Sequence, residues 1–136
     1  MNKTITSTTV SDLGTIKSSK DSYNVVKDVY RDVNCGLITT ILLDTQNRLT
    51  GIYRINGEIS DAWIKINDYA SSVYGCSGVV VVLTKNEGKR SDFPFADSLL
   101  SLKNALRSSE RKLIDVIVCG TNCYYSYADD KLHRVS

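Results

Sequence analysis

The sequence has no long hydrophobic run and no apolar leader. Among its 136 residues, the longest uninterrupted apolar stretch is Val79 to Leu83, far short of the roughly 20 residues that a membrane-spanning helix needs. The N-terminal residues lack the cationic and apolar regions of a secretory signal peptide. We therefore expect a cytoplasmic protein that does not enter a membrane.

A large excess of charge of either sign is also missing. Lys and Arg number 17 against 15 Asp and Glu, which gives a net charge of +2 and a pI near 8.3. Nucleic-acid-binding domains are usually more basic or carry a basic stripe, so composition alone does not indicate a polyanion ligand. The hydrophobic content of 42% and the charged content of 24% are typical of one ordinary globular domain with a real core.

The four cysteines lie in or beside apolar segments, at positions 35, 76, 119 and 123. In that setting a reduced thiol behaves as a small hydrophobic side chain, and we expect no disulfide. Cys119 and Cys123 could suggest a metal or redox pair, but their spacing is not Cys-x-x-Cys and no second pair follows. The pattern favours buried core or strand thiols.

Hydrophobic periodicity predicts helices alternating with strands after a Ser- and Thr-rich N-terminal arm, residues 1–17. The order is α-β-β-α-β-α-β-β, in the following segments: a helix from Ser18–Asp21 to about Tyr30, strands Leu37–Leu43 and Arg48–Ile55, a helix from Ser60–Asp61 to before Gly75, strand Gly78–Leu83, a helix over Phe95–Leu106, and strands Leu113–Val118 and Tyr124–Tyr127. Such alternation predicts a single layered α/β domain over residues 18–136, with a mixed central sheet flanked by helices.

Four stretches of this sequence together resemble one known family. They are Ser18–Lys27, Leu42–Tyr53, Val79–Leu83, and Leu113–Gly120 leading to Tyr124–Asp129. The last is the most telling, because family members commonly end in a leucine-aspartate strand followed by a Tyr-Tyr-Ser-Phe-Ala-like strand. Over roughly Ser18 to Leu132, the chain resembles the RadC-like branch of the JAB (also called MPN) family. The resemblance implies the cytidine-deaminase-like α/β fold of that family.

The histidines of the family's zinc site are missing. In active members the central strand runs into a His-x-His-Pro-Ser-Gly turn, and the two histidines and a later aspartate hold Zn²⁺. If no gap intervenes, Thr84 and Asn86 occupy the two histidine positions, and neither is a credible zinc ligand. The only histidine, His133, lies in the C-terminal tail after the last predicted strand.

The family's other site positions are only partly kept. By the same spacing, Pro94 falls at the serine position and Asp97 at the aspartate position, so one carboxylate survives. The glutamate that acts as general base falls at Gly36 or Leu37, neither of which can transfer a proton. Because one carboxylate cannot hold a catalytic zinc, we expect no bound metal, no cofactor and no hydrolysis by the family mechanism.

Two charged groups surround these positions. Six cations cluster in the sequence around one predicted helix and the loop before it: Lys85, Lys89, Arg90, Lys103, Arg107 and Arg111. The last three recur every four residues and would line one helix face, which could meet an acidic protein or a phosphate backbone. An ordinary solvated face explains the same pattern, and the small net charge favours it. Three carboxylates near the loop, Glu87, Asp92 and Asp97, have no fixed geometry and indicate a solvated turn rather than a cation site.

Tyr124, Tyr125 and Tyr127 could stack on nucleic-acid bases. Alternating aromatic residues without interleaved arginines are more typical of half-buried strand positions. The pattern therefore favours packing.

We accordingly expect a non-catalytic JAB-like pseudoenzyme that acts as a protein–protein interaction module. RadC-like proteins are frequent on phages and mobile elements, so the resemblance suggests a protein that inhibits or recruits a host defence or DNA-processing factor. The alternative is a nucleic-acid-associated accessory domain of a DNA repair or mobile-element system, and an enzyme with a site rebuilt around Asp97 is a third class. Because JAB-like domains often pair, and Trp63 and several tyrosines are candidates for a pairing surface, we also expect a homodimer.

Overall fold

The computed structural model describes residues 14–29, 38–55, 59–84, 96–120 and 122–134. Within these ranges the chain forms three helices and six strands: α1 (Ser19–Val29), β1 (Ile38–Leu43), β2 (Leu49–Ile55), α2 (Ile59–Ser72), β3 (Gly78–Thr84), α3 (Ala96–Ser108), β4 (Lys112–Cys119), β5 (Cys123–Ser126) and β6 (Lys131–Arg134). The predicted α/β class and the predicted element order are confirmed, and β6 is added to them.

The hairpin of β1 and β2 is built by its turn. The Asp44 carboxylate accepts hydrogen bonds from the backbone N–H groups of Gln46 and Arg48, at 2.8 and 2.9 Å, and from Nε of Arg48 at 2.8 Å. Asn47 has a φ of 61°, a left-handed conformation that asparagine tolerates better than most residues. The turn brings Ile38 opposite Ile55 at the open end of the hairpin.

The sheet is mixed, with the strand order β2-β1-β3-β4-β5-β6. Only β3 and β4 are parallel, and the other neighbouring pairs are antiparallel. Parallel strands need a crossover, which here contains α3. Consequently β3 and β4 end at the same end of the sheet, where β1 begins, β2 ends and α3 starts. We call this end, marked by Ile38, Ile55 and Thr84, the crossover edge.

Helices cover both faces of the sheet, because the central strands are apolar on both sides. The valines Val79 to Val82 of β3 are fully buried, alternately facing two separate clusters. The helices α2 and α3 pack on one face through residues such as Ile66 and Leu102. Helix α1 packs on the other face, mainly through Tyr23 and Val26. The result is an α-β-α arrangement of three layers.

The end of the predicted N-terminal arm contacts the sheet. Thr15 forms an antiparallel bridge with Arg48, N–H of Ile16 donates to the carbonyl of Asn47 at 2.8 Å, and N–H of Leu49 donates to the carbonyl of Gly14 at 3.0 Å. The side chain of Ile16 is buried against the α1 layer. This part of the arm therefore covers the first residues of the β2 edge, and residues 1–13 lie outside the described ranges.

The segment that was predicted to be a C-terminal tail forms a strand. The sequence places His133 after the last strand, but the structure places it within β6, which pairs antiparallel with β5. A four-residue strand of mostly charged residues carries no hydrophobic periodicity, so the prediction missed it. Its formation depends on backbone pairing after the turn at residues 127–130, where Asp130 adopts a φ of 49°.

No helix in the described ranges is both long enough and apolar enough to cross a membrane.

Candidate functional site

Two of the positions that the family resemblance assigns to a zinc site are described, and both lie at the crossover edge. Thr84 is the last residue of β3, and Asp97 is the second residue of α3. Because α3 returns from the end of β3 to the start of β4, both positions belong to the same end of the sheet. The other predicted site, loop and general-base positions lie outside the described residues: Gly36, Leu37, Lys85, Asn86, Glu87, Lys89, Arg90, Asp92 and Pro94.

The described side chains at the crossover edge are apolar or neutral. Ile38, Ile55 and Leu83 are buried there, and Cys119 lies beside Thr84 in the register. Burial raises the pKa of the Cys119 thiol to about 12. Within the described ranges, no three His, Cys, Asp or Glu residues are grouped so that they could hold a metal ion.

His133 is too far from Thr84 for the two residues to bind the same metal ion. The register connects the row Thr84, Cys119, Tyr124 and His133 across four neighbouring strands. Three strand spacings of about 4.8 Å separate the ends of that row by roughly 14 Å. Zinc ligands lie only about 2 Å from the ion, so the single histidine cannot replace those missing from the crossover edge.

His133 instead belongs to a polar cluster that joins β6 to α1. Oγ of Ser19 donates to Oδ2 of Asp129 at 2.6 Å, and Nε2 of His133 lies 2.9 Å from the same oxygen. In a serine hydrolase the imidazole stands between the serine and the carboxylate and takes the serine proton. Here the carboxylate stands in the middle, so Ser19 donates to Asp129 and not to an imidazole. The cluster connects α1 to β6 and to the turn before it, and its order differs from that of a serine-hydrolase triad.

An aromatic stack reinforces the same connection. The Tyr124 ring lies between the rings of Tyr23 and His133, with centroids 4.7 Å apart on each side and interplanar angles of 19°. Nζ of Lys27 lies 5.6 Å from the centroid of the Tyr23 ring, within the range of a cation–π contact. The stack therefore extends from α1 across β5 to β6.

The predicted packing role of the C-terminal tyrosines is confirmed for two of them. Tyr124 and Tyr125 are buried, whereas Tyr127 is 47% exposed because β5 ends at Ser126. The hydroxyl of Tyr125 donates to the carboxylate of Asp130. The two buried rings are not available as stacking surfaces for bases.

A buried carboxylate on β4 holds the turn between β5 and β6. Oδ1 of Asp115 accepts from the backbone N–H groups of Val116 and Ala128, at 2.8 and 2.9 Å, and Oδ2 accepts from Oγ of Ser126 at 2.8 Å. Burial raises the pKa of Asp115, and the three hydrogen bonds oppose that shift. The sequence shows this residue as an aspartate inside an otherwise apolar strand, which is the pattern of a buried polar group with defined partners.

The cluster around Asp129 predicts an acid-dependent contribution to stability. The hydrogen bond from Ser19, and after it the contact with His133, lower the pKa of Asp129 below its ordinary value of 3.8. A carboxyl whose pKa is lower in the folded state contributes stability above its unfolded pKa and loses it as the pH falls through the folded pKa. We therefore expect Asp129→Asn to flatten the loss of stability below about pH 3.8, as measured by urea unfolding at pH 2 to 7. If the variant lost stability at low pH as steeply as the wild type, this prediction would be contradicted.

The predicted basic face is only partly formed. Lys103 and Arg107 are exposed on α3, near Leu100, which is 55% exposed. Arg111 does not extend this face, because α3 ends at Ser108. Glu110 takes a left-handed φ of 63°, and N–H of Arg111 donates to the carbonyl of Leu106 at 2.8 Å, the pattern of a Schellman C-cap.

The guanidinium of Arg111 turns inwards instead of joining Lys103 and Arg107. Its Nη1 donates to the carbonyl of Ser109 at 3.0 Å, and its charge and hydrogen bond act on the thiol of Cys76, whose pKa burial nevertheless raises. The expectation that Arg111 lines the helix face is therefore wrong. A regular four-residue spacing ceases to define a face once the helix has ended.

No family model matches the sequence, and no curated protein shows significant sequence similarity to it.

Proposed function

We propose that this chain is a RadC-like JAB domain that has lost its zinc site and acts as a non-catalytic protein–protein interaction module. The observation that carries the proposal is the identity of the residue that ends β3. The family resemblance places the first zinc ligand there, and the residue is Thr84. The described neighbours along the crossover edge supply apolar side chains and one buried thiol, and none of these described neighbours is a histidine or a carboxylate.

The topology supports this reading without depending on single residues. A parallel pair of central strands, β3 and β4, is joined through α3, and this arrangement brings position 84 and the start of the helix that carries Asp97 to one end of the sheet. The resemblance implies that same geometry for an active site. A scaffold that keeps the geometry while lacking the histidines is suited to binding rather than hydrolysis.

Metal content tests the loss of the zinc site. We expect protein purified from zinc-supplemented cells to contain well below one zinc per chain, because neither a threonine nor an asparagine replaces an imidazole as a zinc ligand. Elemental analysis after gel filtration measures it. One tightly held zinc per chain would contradict the proposal.

The binding role is tested with two charge-matched double variants. Lys103→Glu with Arg107→Glu reverses the exposed basic pair of α3, and Lys20→Glu with Lys65→Glu makes the same charge change on α1 and α2, where both lysines are exposed. Each variant should change stability by less than about 0.5 kcal/mol per site. If the basic face contacts the partner, only the first variant abolishes affinity capture from the native cell. Equal capture by both variants would move the interface elsewhere.

Under this proposal the chain is a phage or mobile-element protein, and its partner is a cytoplasmic host factor in defence or DNA processing. We also propose that the protein is a homodimer. Light scattering at micromolar concentration tests this, and a mass near 15.1 kDa, that of one chain, would reject the dimer.

The exposed pair Lys103 and Arg107 favours one second candidate, a nucleic-acid-associated accessory domain. Phosphate contacts make affinity fall steeply with salt. DNA binding that weakens strongly between 50 and 200 mM salt, about tenfold or more, and that is lost in the Lys103/Arg107 variant, would support this candidate over the first.

A further inference from the structure

Among the described residues, β6 is the outermost strand at one edge of the sheet. It is the last strand in the order β2-β1-β3-β4-β5-β6, and no described residue pairs with its outer side. The opposite edge, β2, differs because residues 14–16 cover its beginning. Edge strands expose backbone N–H and C=O groups that can pair with an added strand.

The register identifies which backbone groups face outward. In antiparallel pairs, residues alternate between those that bond their neighbour and those that face away. N–H of Gly120 donates to the carbonyl of Cys123, and N–H of Tyr127 donates to the carbonyl of Val116, so the odd-numbered residues of β5 bond β4. The even-numbered residues of β5 therefore bond β6, opposite Lys131 and His133.

It follows that Leu132 and Arg134 direct their backbone N–H and C=O groups to the open edge. These two residues can form two hydrogen-bonded pairs with an added antiparallel strand. The Leu132 side chain is 40% exposed and lies on the sheet face opposite His133, because side chains alternate along a strand. The edge therefore offers both backbone groups and an apolar contact.

The charged side chains within β6 itself are positive. Lys131 and Arg134 are both exposed. The nearby carboxylates are already engaged, since Asp129 binds Ser19 and His133 and Asp130 accepts from the Tyr125 hydroxyl. Both carboxylates lie in the turn before β6, and both cations lie on the strand itself.

The same charges act against self-pairing. A two-fold pairing of β6 with β6 of a second copy would bring two Lys131 and two Arg134 side chains to a seam only four residues long. Like charges across neighbouring strands are destabilising, and lysine on an edge strand is a known protection against association of identical edges. A partner strand with carboxylates would instead be complementary to this edge.

We propose that the β6 edge binds an extended acidic segment of a partner protein, which adds to the sheet as an antiparallel strand beside Leu132 and Arg134. This inference rests on the proposed function as an interaction module and names the surface and the chemistry of its partner. Backbone pairing supplies affinity and alternate side chains supply selectivity, as in other strand-addition complexes.

The test uses a defined probe, the capped peptide (Glu-Val)4, with (Lys-Val)4 as its control. Hydrogen exchange followed by NMR should show the amides of Leu132 and Arg134 slowed by about tenfold or more when the acidic peptide is bound. The amides of Lys131 and His133 should change little, because they already bond β5. Fluorescence anisotropy should show binding of (Glu-Val)4 that weakens with salt, and at least about tenfold weaker binding of (Lys-Val)4.

Two variants separate the edge from general stability. Leu132→Pro removes the outward N–H without removing a bond to β5, a position where an edge strand tolerates proline, and Leu132→Ala keeps that N–H. We expect the proline variant alone to lose peptide binding. Lys131→Glu with Arg134→Glu is expected to reverse the preference between the two peptides, which keeps the proposal testable if the proline variant fails to fold.

Several outcomes would overturn the proposal: equal binding of the two peptides, protection at other amides, or a wild-type dimer that Leu132→Pro dissociates, which would make the edge a self-pairing surface. Cellular capture distinguishes this proposal from the proposed function. If the wild type and the Lys131/Arg134 variant capture a partner equally, the proposal of binding at the β6 edge is wrong, whereas the proposed function as an interaction module is supported. Peptide binding at β6 by a protein that captures no partner supports the edge and contradicts the module.

Discussion

Replacing Asp115 by alanine is expected to lower the free energy of unfolding by about 3 kcal/mol. The carboxylate accepts from Ser126 Oγ and from the backbone N–H groups of Val116 and Ala128, and it is buried. Alanine leaves these donors without their acceptor, and each buried orphan group costs about 1 to 3 kcal/mol. Urea unfolding at pH 7 measures the change.

The control for this prediction is Asp68→Ala. Asp68 is exposed on α2, so its loss should change stability by less than about 0.5 kcal/mol. Ser126 ends β5 and Ala128 lies in the turn before β6. The alanine variant at position 115 should therefore also speed amide exchange in β6 more than in β3. A loss below about 1 kcal/mol would mean that water or another group replaces the carboxylate.

Replacing Tyr124 by alanine is expected to cost about 4 kcal/mol, within the range for large buried aromatic residues. The ring is buried and stacks on both Tyr23 and His133, so the variant loses its burial and two aromatic contacts, each worth about 0.5 to 1.5 kcal/mol. Thermal and urea unfolding at pH 7 both measure the loss.

Two matched variants define which part of Tyr124 is responsible. Tyr124→Phe keeps the stacked ring and loses only a hydroxyl 3.5 Å from Ser19 Oγ, so it should cost less than about 1 kcal/mol. Tyr74→Ala removes a tyrosine that is 100% exposed and should be nearly neutral. If Phe at position 124 is as damaging as Ala, the hydroxyl rather than the stack holds α1 to β5 and β6.

These two variants also bear on the binding edge. Asp115 holds the turn that precedes β6, and Tyr124 packs against His133 of β6. Both residues therefore affect the position of Leu132 and Arg134 without contacting a ligand there. We therefore treat them as positioning residues. Their replacement should weaken peptide binding more than replacement of core residues far from β6, such as Ile66 of α2.

The proposal that the zinc site is lost rests on residue identity, whereas the proposed binding edge could not be located from the sequence. Thr84 follows a run of four buried valines, and the end of such a central strand can be located from its composition alone. The face composed of Lys103 and Arg107 was also predictable from helical spacing. Arg111 was not, because the left-handed Glu110 ends the helix and redirects the side chain towards Cys76.

The sequence by itself determined the order of the first eight elements, since long apolar or amphipathic segments such as β3 and α3 bury their hydrophobic residues in only one kind of local structure. A carboxylate inside an apolar strand needs buried partners, but the sequence did not show which groups bind Asp115. Only the tertiary structure decided that Lys131 to Arg134 form a strand, that His133 joins Ser19 through Asp129, and that Leu132 faces an open edge. Those features depend on backbone pairing and on contacts between residues more than 100 positions apart in the chain, and neither leaves a local pattern in the sequence.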